Sequence, residues 1–255
     1  MAYKVFLDPG HGGTDPGAVK YIREETVNLN MALACRDCLE ANGVDVEMSR
    51  TTDKNTTSSG IISACNSYNP DLAVSIHNNA GGGNGCEVYY TIKGGTGKKL
   101  AKNINSAFKN IGQNSRGIKT RKGSRGDYYF FIRETKCPAV ITEAVFVDNK
   151  ADAAQADTLA EQKAFGVAIA KGILKTLGVA EKSTESKSFK VRVTASALNI
   201  RSGAGTKYKK VGQIKDKGVY TIIEVFGNWG KLKSSTAKSP RWISLNYTKR
   251  LKKAI

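Results

Sequence analysis

The sequence predicts an α/β domain, a mainly parallel twisted sheet flanked by helices on both faces, followed by a small all-β barrel. Three observations carry that reading. Over the first 180 residues, short apolar runs alternate with stretches of helical periodicity, which is the pattern of βαβ units. Beyond residue 188 the helical periods stop, and six short β-type runs follow within about 60 residues. Between the two lies EKSTESKS, residues 181–188, a polar stretch with no apolar face to bury. The chain therefore divides into residues 1–178, a linker over 179–188, and residues 189–255. A length of 255 residues suits two domains.

The elements follow in order. Residues 3–8 read as a strand that runs into a Gly-rich loop. Residues 24–41 carry apolar side chains at helical spacing and close on Asn42-Gly43, a helix stop. Residues 44–48 form a strand, the region 61–66 a helix, 72–76 a buried strand, 87–92 a strand and 98–111 a helix. Two more strands are expected at 129–132 and 139–144. Residues 159–177 form an amphipathic helix that ends at Gly178. In the second part, strands are expected at 190–194, 198–201, 211–214, 219–225, 229–232 and 242–245, separated by turns rich in Gly, Asn and Lys. Trp229, Trp242 and Tyr247 are expected in the core of that small barrel.

Charge is unevenly divided along the chain. Residues 1–180 hold 22 Lys and Arg against 18 Asp and Glu, whereas residues 181–255 hold 18 against 4. The net charges are +4 and +14, which together give the +18 of the whole chain. A near-neutral body with a basic tail region meets two kinds of partner, and the basic part expects a polyanion: nucleic acid, anionic lipid or an anionic wall polymer. No run approaches the roughly 18 apolar residues of a membrane span. The opening MAYKVFLDPGH places Lys4 and Asp8 where a secretory signal needs an apolar core. Synthesis in the cytoplasm without a signal peptide is expected, with action elsewhere only after release. Five cysteines, an odd number, argue against a disulfide framework in such a chain. Cys35 and Cys38 lie one helical turn apart with no second pair, and read as small buried residues.

Only two histidines are present, His11 and His77, and each follows a predicted strand. Sites in open α/β sheets form at the carboxyl ends of strands, so histidines in matched positions on neighbouring strands converge. A hydrolytic zinc site takes two imidazoles, a carboxylate and a water. Glu24 and Glu25, at the start of the first helix, are the candidate carboxylates. They project about 100° apart. The apolar stripe Val27, Met31, Ala34, Cys35 and Cys38 places Glu24 on the sheet-facing side. Glu25 falls on the flank with Arg36, as an ordinary solvated first-turn acid. Glu143 lies inside AVITEAVF, residues 139–146, where a carboxylate is costly to bury unless it is paired, protonated or near a metal. The run GGGNG at 81–85 reads as a flexible loop rather than a phosphate cradle, since neither a Lys-Ser/Thr pair nor a helix follows. The five basic residues between 116 and 125 read as a solvated loop.

Four segments then resemble a known family: DPGHGGTDPGA at 8–18, EETVNL at 24–29, SIHNNA at 75–80 and ITEAVF at 141–146. In this order they are similar to the zinc-dependent N-acetylmuramoyl-L-alanine amidases of the amidase-3 family, over residues 3–177. The resemblance implies one zinc ion per chain held by His11, Glu24 and His77, with Glu143 as the general base. It implies cleavage of the amide between N-acetylmuramic acid and L-alanine in peptidoglycan. The doubled Asn78-Asn79 departs from the commoner small residue followed by Asn, and leaves Asn79 to orient substrate. Residues 197–206 (ALNIRSGAGT), 229–232 (WGKL) and 241–245 (RWISL) resemble the bacterial SH3-like cell-wall-binding domains, with Arg241 where Gly is usual.

Together these imply a peptidoglycan-lysing amidase of the endolysin or autolysin kind, with a catalytic domain at 1–178 and a wall-binding domain at 189–255. A monomer that uses its basic domain on the wall and binds no nucleic acid is expected. The competing readings are a non-catalytic wall-adhesion protein, which has no need of all four site residues, and a zinc peptidase acting on the stem peptide. A nucleic-acid binder lacks any recognition helix or RNA-binding signature.

Overall fold

The protein is described by a computed structural model, covering residues 2–181, 188–206, 208–226, 228–236 and 239–251. It forms two compact units, Met1–Lys182 and Ser183–Ile255. Most of the expected linker, residues 182–187, lies outside the described residues.

The first unit runs β1 (Lys4–Pro9), α1 (Glu24–Ala41), β2 (Asp45–Met48), α2 (Ser58–Tyr68), β3 (Leu72–Asn79), β4 (Cys86–Tyr90) and α3 (Gly95–Asn110). Then come β5 (Ser115–Lys119), β6 (Lys122–Gly123), β7 (Gly126–Asp127), α4 (Phe130–Glu134), β8 (Ala139–Phe146), α5 (Lys150–Ala153) and α6 (Leu159–Leu177). Six strands form one sheet in the order β2-β1-β3-β8-β4-β5. Every neighbouring pair is parallel except β4 with β8. The inversion has a simple cause. Only residues 80–85 join β3 to β4, too short for a crossover helix, so β4 returns antiparallel.

Strand alternation sorts side chains onto two covered faces. Val74, Ile76, Val88, Val140 and Ala144 pack into the larger core with Met31, Ile104, Phe165 and Ile169 from α1, α3 and α6. Phe6, Ala73, Ala139 and Ile141 meet Cys65 of α2 and Phe131 and Ile132 of α4 on the opposite face. Each fully buried Leu, Ile or Phe side chain here contributes about 1.5–3 kcal/mol. Helix α6 is closed at both ends, by a Thr158–Glu161 capping box and by Gly178 in the left-handed conformation.

Two expectations change in this unit. Residues 129–132 are not a strand. The aromatic run favours β structure in isolation, but α4 forms there because it seats Phe131 and Ile132 in the smaller core. Its last turn is tied by Thr135 Oγ1 donating to the Phe131 carbonyl at 2.7 Å. Strand β5 was not expected either. Its sequence, Ser-Arg-Gly-Ile-Lys, has no apolar alternation, and backbone pairing at the sheet edge makes it a strand.

The second unit is antiparallel throughout: β9 (Phe189–Val193), β10 (Leu198–Arg201), β11 (Lys210–Ile214), β12 (Val219–Phe226), β13 (Trp229–Leu232), β14 (Trp242–Ser244) and β15 (Thr248–Arg250). They form one sheet in the order β11-β10-β14-β13-β12-β9-β15. Val191, Val193, Leu198, Ile200, Ile214, Ile222, Leu232 and Ile243 make its core. Trp242 is buried and Trp229 half-buried, but Tyr247 is 55% exposed rather than in the core. It lies in a 3₁₀ turn over Leu245–Tyr247 that turns its side chain outward.

Candidate metal centre

The two histidines meet because their strands are neighbours. Pro9 at the end of β1 is in register with Ile76 of β3, and the Gly10 amide donates to the Ile76 carbonyl at 3.0 Å. His11 follows immediately, with φ at 64°, and His77 lies one residue beyond Ile76. Their rings pack edge to face with centroids 4.9 Å apart.

Glu24 reaches the same point because the His11 loop forms the start of α1. No side chain caps α1. Instead, the Glu24 amide donates to the Ala18 carbonyl at 3.1 Å and the Glu25 amide to the Pro16 carbonyl at 3.3 Å. Glu24 Oε1 lies 3.2 Å from His11 Nε2 and 3.1 Å from His77 Nδ1, and accepts from the Asn78 amide at 3.1 Å. Its Oε2 accepts from the Ala18 amide at 2.8 Å. Asp15 Oδ2, 2.8 Å from His11 Nδ1, fixes the imidazole so that Nε2 faces the centre.

These contacts set the protonation of the group. The hydrogen bond to Glu24 lifts His11 to about 9, against the opposing effect of burial. Burial pushes the Glu24 carboxyl up, but hydrogen bonds from His11 and His77 outweigh it and hold the group well below the carboxylate range. Burial disfavours the His77 cation, yet the Glu24 hydrogen bond and the charges of Glu143 and Glu24 raise it overall.

The arrangement fits a metal ion. One ligand atom from each of His11, Glu24 and His77 lies within 4.8 Å of the others. Two imidazoles and a carboxylate are a hydrolytic donor set that leaves a coordination position open. The surrounding backbone is shaped to these side chains. A Cβ at Gly10 would overlap the His77 ring, and one at Gly17 would overlap the Glu24 carboxylate and the His11 ring.

Glu143, on β8, is the register partner of His77 on β3 and of Glu87 on β4. All three side chains therefore project from one face of the sheet. Its Oε2 is buried without a hydrogen-bond partner among the described residues. Burial raises the Glu143 carboxyl to about 7, with the His77 charge opposing and the charges of Glu24 and Glu87 adding. Asn79 is half-buried beside this row, its Nδ2 donating to Glu87 Oε2 at 3.3 Å.

Several residues correct or extend the reading of the sequence. Glu25 is not a solvated acid. It is 2% exposed, its Oε1 accepts from Arg23 Nε at 2.7 Å and Thr26 Oγ1 at 2.9 Å, and it is not among the residues that converge with the histidines. Residues 81–85 are pinned as an anion cradle, but for internal anions. The Gly81 and Gly82 amides donate to Asp148, and the Gly85 amide to Asp152. Arg116 and Lys119 are not simply solvated, because both bind Glu87, and Arg121 stacks on Tyr128 at 3.7 Å.

Arg50, Asn28 and Asn78 support the site and were not singled out from the sequence. Arg50 is 1% exposed and donates to the carbonyls of Pro9, Gly10, Thr52 and Glu25, clamping the segments that carry His11 and Glu24. Asn28 donates to the Gly10 carbonyl and accepts from Asn78, which in turn accepts from the Val145 amide. Asn28 lies one turn after Glu24 on an otherwise apolar stripe. A polar residue in that place was the available signal.

The chain is similar to known proteins over the unit that carries this centre. Residues 5–175 match the Amidase_3 family, N-acetylmuramoyl-L-alanine amidase. The sporulation-specific N-acetylmuramoyl-L-alanine amidase of Bacillus subtilis (strain 168) is 34% identical over 206 residues, 76% of this chain and 78% of the relative. The endolysin of Bacillus phage SPP1 is 33% identical over 192 residues, 72% of this chain and 69% of the relative. The catalytic domain of CwlV, an amidase of the same activity from Bacillus (Paenibacillus) polymyxa var. colistinus, superposes with a TM-score of 0.63 at 31% identity, covering 70% of this chain and 99% of that one. With the family's match spanning residues 5–175, all but the first residue of the six-stranded sheet and every residue of the centre, the chain belongs to the N-acetylmuramoyl-L-alanine amidase family.

Proposed function

We propose that the protein is a zinc-dependent peptidoglycan hydrolase that cuts between the lactyl group of N-acetylmuramic acid and the first L-alanine of the stem peptide. His11, Glu24 and His77 would hold the zinc, and Glu143 would act as the general base. The observation that carries this reading is a two-imidazole, one-carboxylate donor set beside a buried carboxylate with an unpartnered oxygen. When bound, zinc supplies Lewis acidity to the amide carbonyl and makes a nearby water easier to deprotonate.

The protein's own groups do the rest. Without metal, His11 and His77 share protons with Glu24, so metal loading displaces protons and strengthens as pH rises. Glu143, near 7, suits proton exchange at neutral pH. Its Oε2 takes the proton of the attacking water and delivers it to the nitrogen of the leaving amine. Asn79 orients the substrate from the rim of the same row.

The basic second unit is proposed to bind the cell wall as an SH3-like domain, with residues 1–178 as the catalytic part. Its net charge of +14 over residues 181–255 suits anionic wall polymers. Similarity to a phage endolysin supports a role in wall lysis. The test is digestion of purified walls followed by identification of the new amino terminus. L-alanine is expected; an internal stem-peptide residue would make the enzyme a peptidase instead.

A further inference from the structure

The row of side chains that begins at His77 does not end at Glu143. It continues across β4 through Glu87 and onto the edge strand β5, where two cations converge on that one carboxylate. Arg116 Nε and Lys119 Nζ each donate to Glu87 Oε1 at 2.6 Å. Glu87 is 3% exposed, and its Oε2 already accepts from Tyr89 Oη at 2.9 Å and Asn79 Nδ2 at 3.3 Å. One buried charge thus faces two cations, which leaves a local excess of one positive charge.

This convergence is built by an irregularity in the strand. Residues three apart on a regular strand point to opposite faces. Here Cys86 pairs with Ser115 and Val88 with Ile118, so β5 holds one more residue than β4 across that interval. Gly117, at φ 89°, occupies the bulge. The extra residue restores the parity and turns Arg116 and Lys119 to the face that carries Glu87, Glu143 and His77. Their side chains remain 43% and 34% exposed. Arg116 also lies over the Phe146 ring, 5.2 Å from its centroid. Neither its terminal guanidinium nitrogens nor the remaining Lys119 N–H groups make another hydrogen bond among the described residues.

We propose that Arg116 and Lys119 form a binding site for a carboxylate on the peptide part of the substrate. The inference rests on the amidase reading above and adds a determinant of specificity to it. Neighbouring strands lie about 4.8 Å apart, so β5 is about 10 Å from Glu143 and about 15 Å from His77. An extended peptide advances roughly 3.3–3.6 Å per residue. Allowing for the reach of the two long side chains, a peptide whose first amide lies at the metal centre presents its second or third residue to the cations. A guanidinium donates two parallel hydrogen bonds to a carboxylate, and the terminal nitrogens left unused by Glu87 are free to do so.

The test uses the full-length, zinc-loaded protein and synthetic muramoyl tripeptides in which the second or the third residue carries either a free carboxylate or a carboxamide. The wild type is expected to favour one carboxylate substrate over its carboxamide counterpart by about ten-fold in kcat/KM, allowing for solvent screening. Arg116→Gln should erase most of that preference, chiefly through KM, and Arg116→Lys should keep part of it. Lys119→Gln tests the second cation in the same way, with zinc content and circular dichroism reporting an intact fold. No wild-type preference at either position, or equal losses on both substrates of a pair, would overturn the site and leave Arg116 as a partner of Glu87 alone. If the wild type cleaves none of these substrates at the muramoyl amide yet frees internal residues from walls, the amidase reading itself fails.

Discussion

Replacing Glu143 with Gln removes the proton acceptor and the buried charge together, and the two losses move different measurements. A carboxyl that titrates near 7 in the folded chain and near 4.5 in the unfolded one keeps its proton longer in the fold. The folded state therefore binds more protons between these values, and stability falls as pH rises through that window. The difference between the two titrations costs about 1 kcal/mol at pH 5 and about 3 kcal/mol at pH 8. The amide does not ionise, so the variant escapes this pH-dependent cost. It meets a fixed cost instead, because its –NH₂ group enters a buried position where Oε2 has no partner, worth about 1–3 kcal/mol. The difference in stability between variant and wild type, both metal-free, should thus shift in the variant's favour by about 2–3 kcal/mol from pH 5 to pH 8. All described α-helices lie in the first unit, so urea titration followed by far-UV circular dichroism reports on the right part of the chain. Hydrolysis should meanwhile fall by about 10²–10⁴-fold with zinc still bound. A stability difference that ignores pH would refute the burial argument, and activity above about a tenth of wild type would remove Glu143 from the chemistry.

Three other perturbations test the rest of the assignment. Glu24→Ala should lose zinc and activity, whereas Glu25→Ala, though destabilised by an emptied buried site, should still bind one zinc ion per chain; metal analysis after dialysis distinguishes them, and the reverse pattern would misplace the ligand. A chelator should abolish wall lysis and added zinc restore it. Wall binding by the whole protein should weaken as salt rises, because exposed charge attraction is screened over about 8 Å at physiological ionic strength; sedimentation with purified walls measures it, and salt-independent binding would take the +14 charge out of the account.

Much of the centre could be read from residue order, because the determining features are local. β1 runs out at Pro9, just before Gly10-His11, and β3 carries His77 near its own carboxyl end, so the two histidines meet wherever these strands pair in parallel. Helix α1 spans Glu24–Ala41, and its stripe singled out Glu24 over Glu25 for the site because successive residues differ by about 100° in direction. The same rule failed for Glu25's surroundings. Helical phase gives direction within an element, and says nothing about the loop that covers the flank. Here Arg23 and Thr26 close over that side chain.

Features that depend on pairing between distant segments emerged only in the folded chain. Aromatic propensity at 129–132 pointed to a strand, and packing against Phe6, Ala73 and Ile141 made it a helix. Arg50 gave no local signal, since three of its four carbonyl partners, Pro9, Gly10 and Glu25, come from the end of β1 and the start of α1, 25 to 41 residues away in sequence. The strand β5 and its bulge were equally hidden: Ser-Arg-Gly-Ile-Lys has the pattern of a loop until the β4 edge supplies its hydrogen bonds. Hydrophobic periodicity is a property of the chain, and it fixed the alternating elements and the two histidines. Strand order, the insertion of β8 between β3 and β4, and the parity of a bulged edge are properties of pairing, so the row from His77 through Glu143 and Glu87 to Arg116 exists only once the sheet has formed.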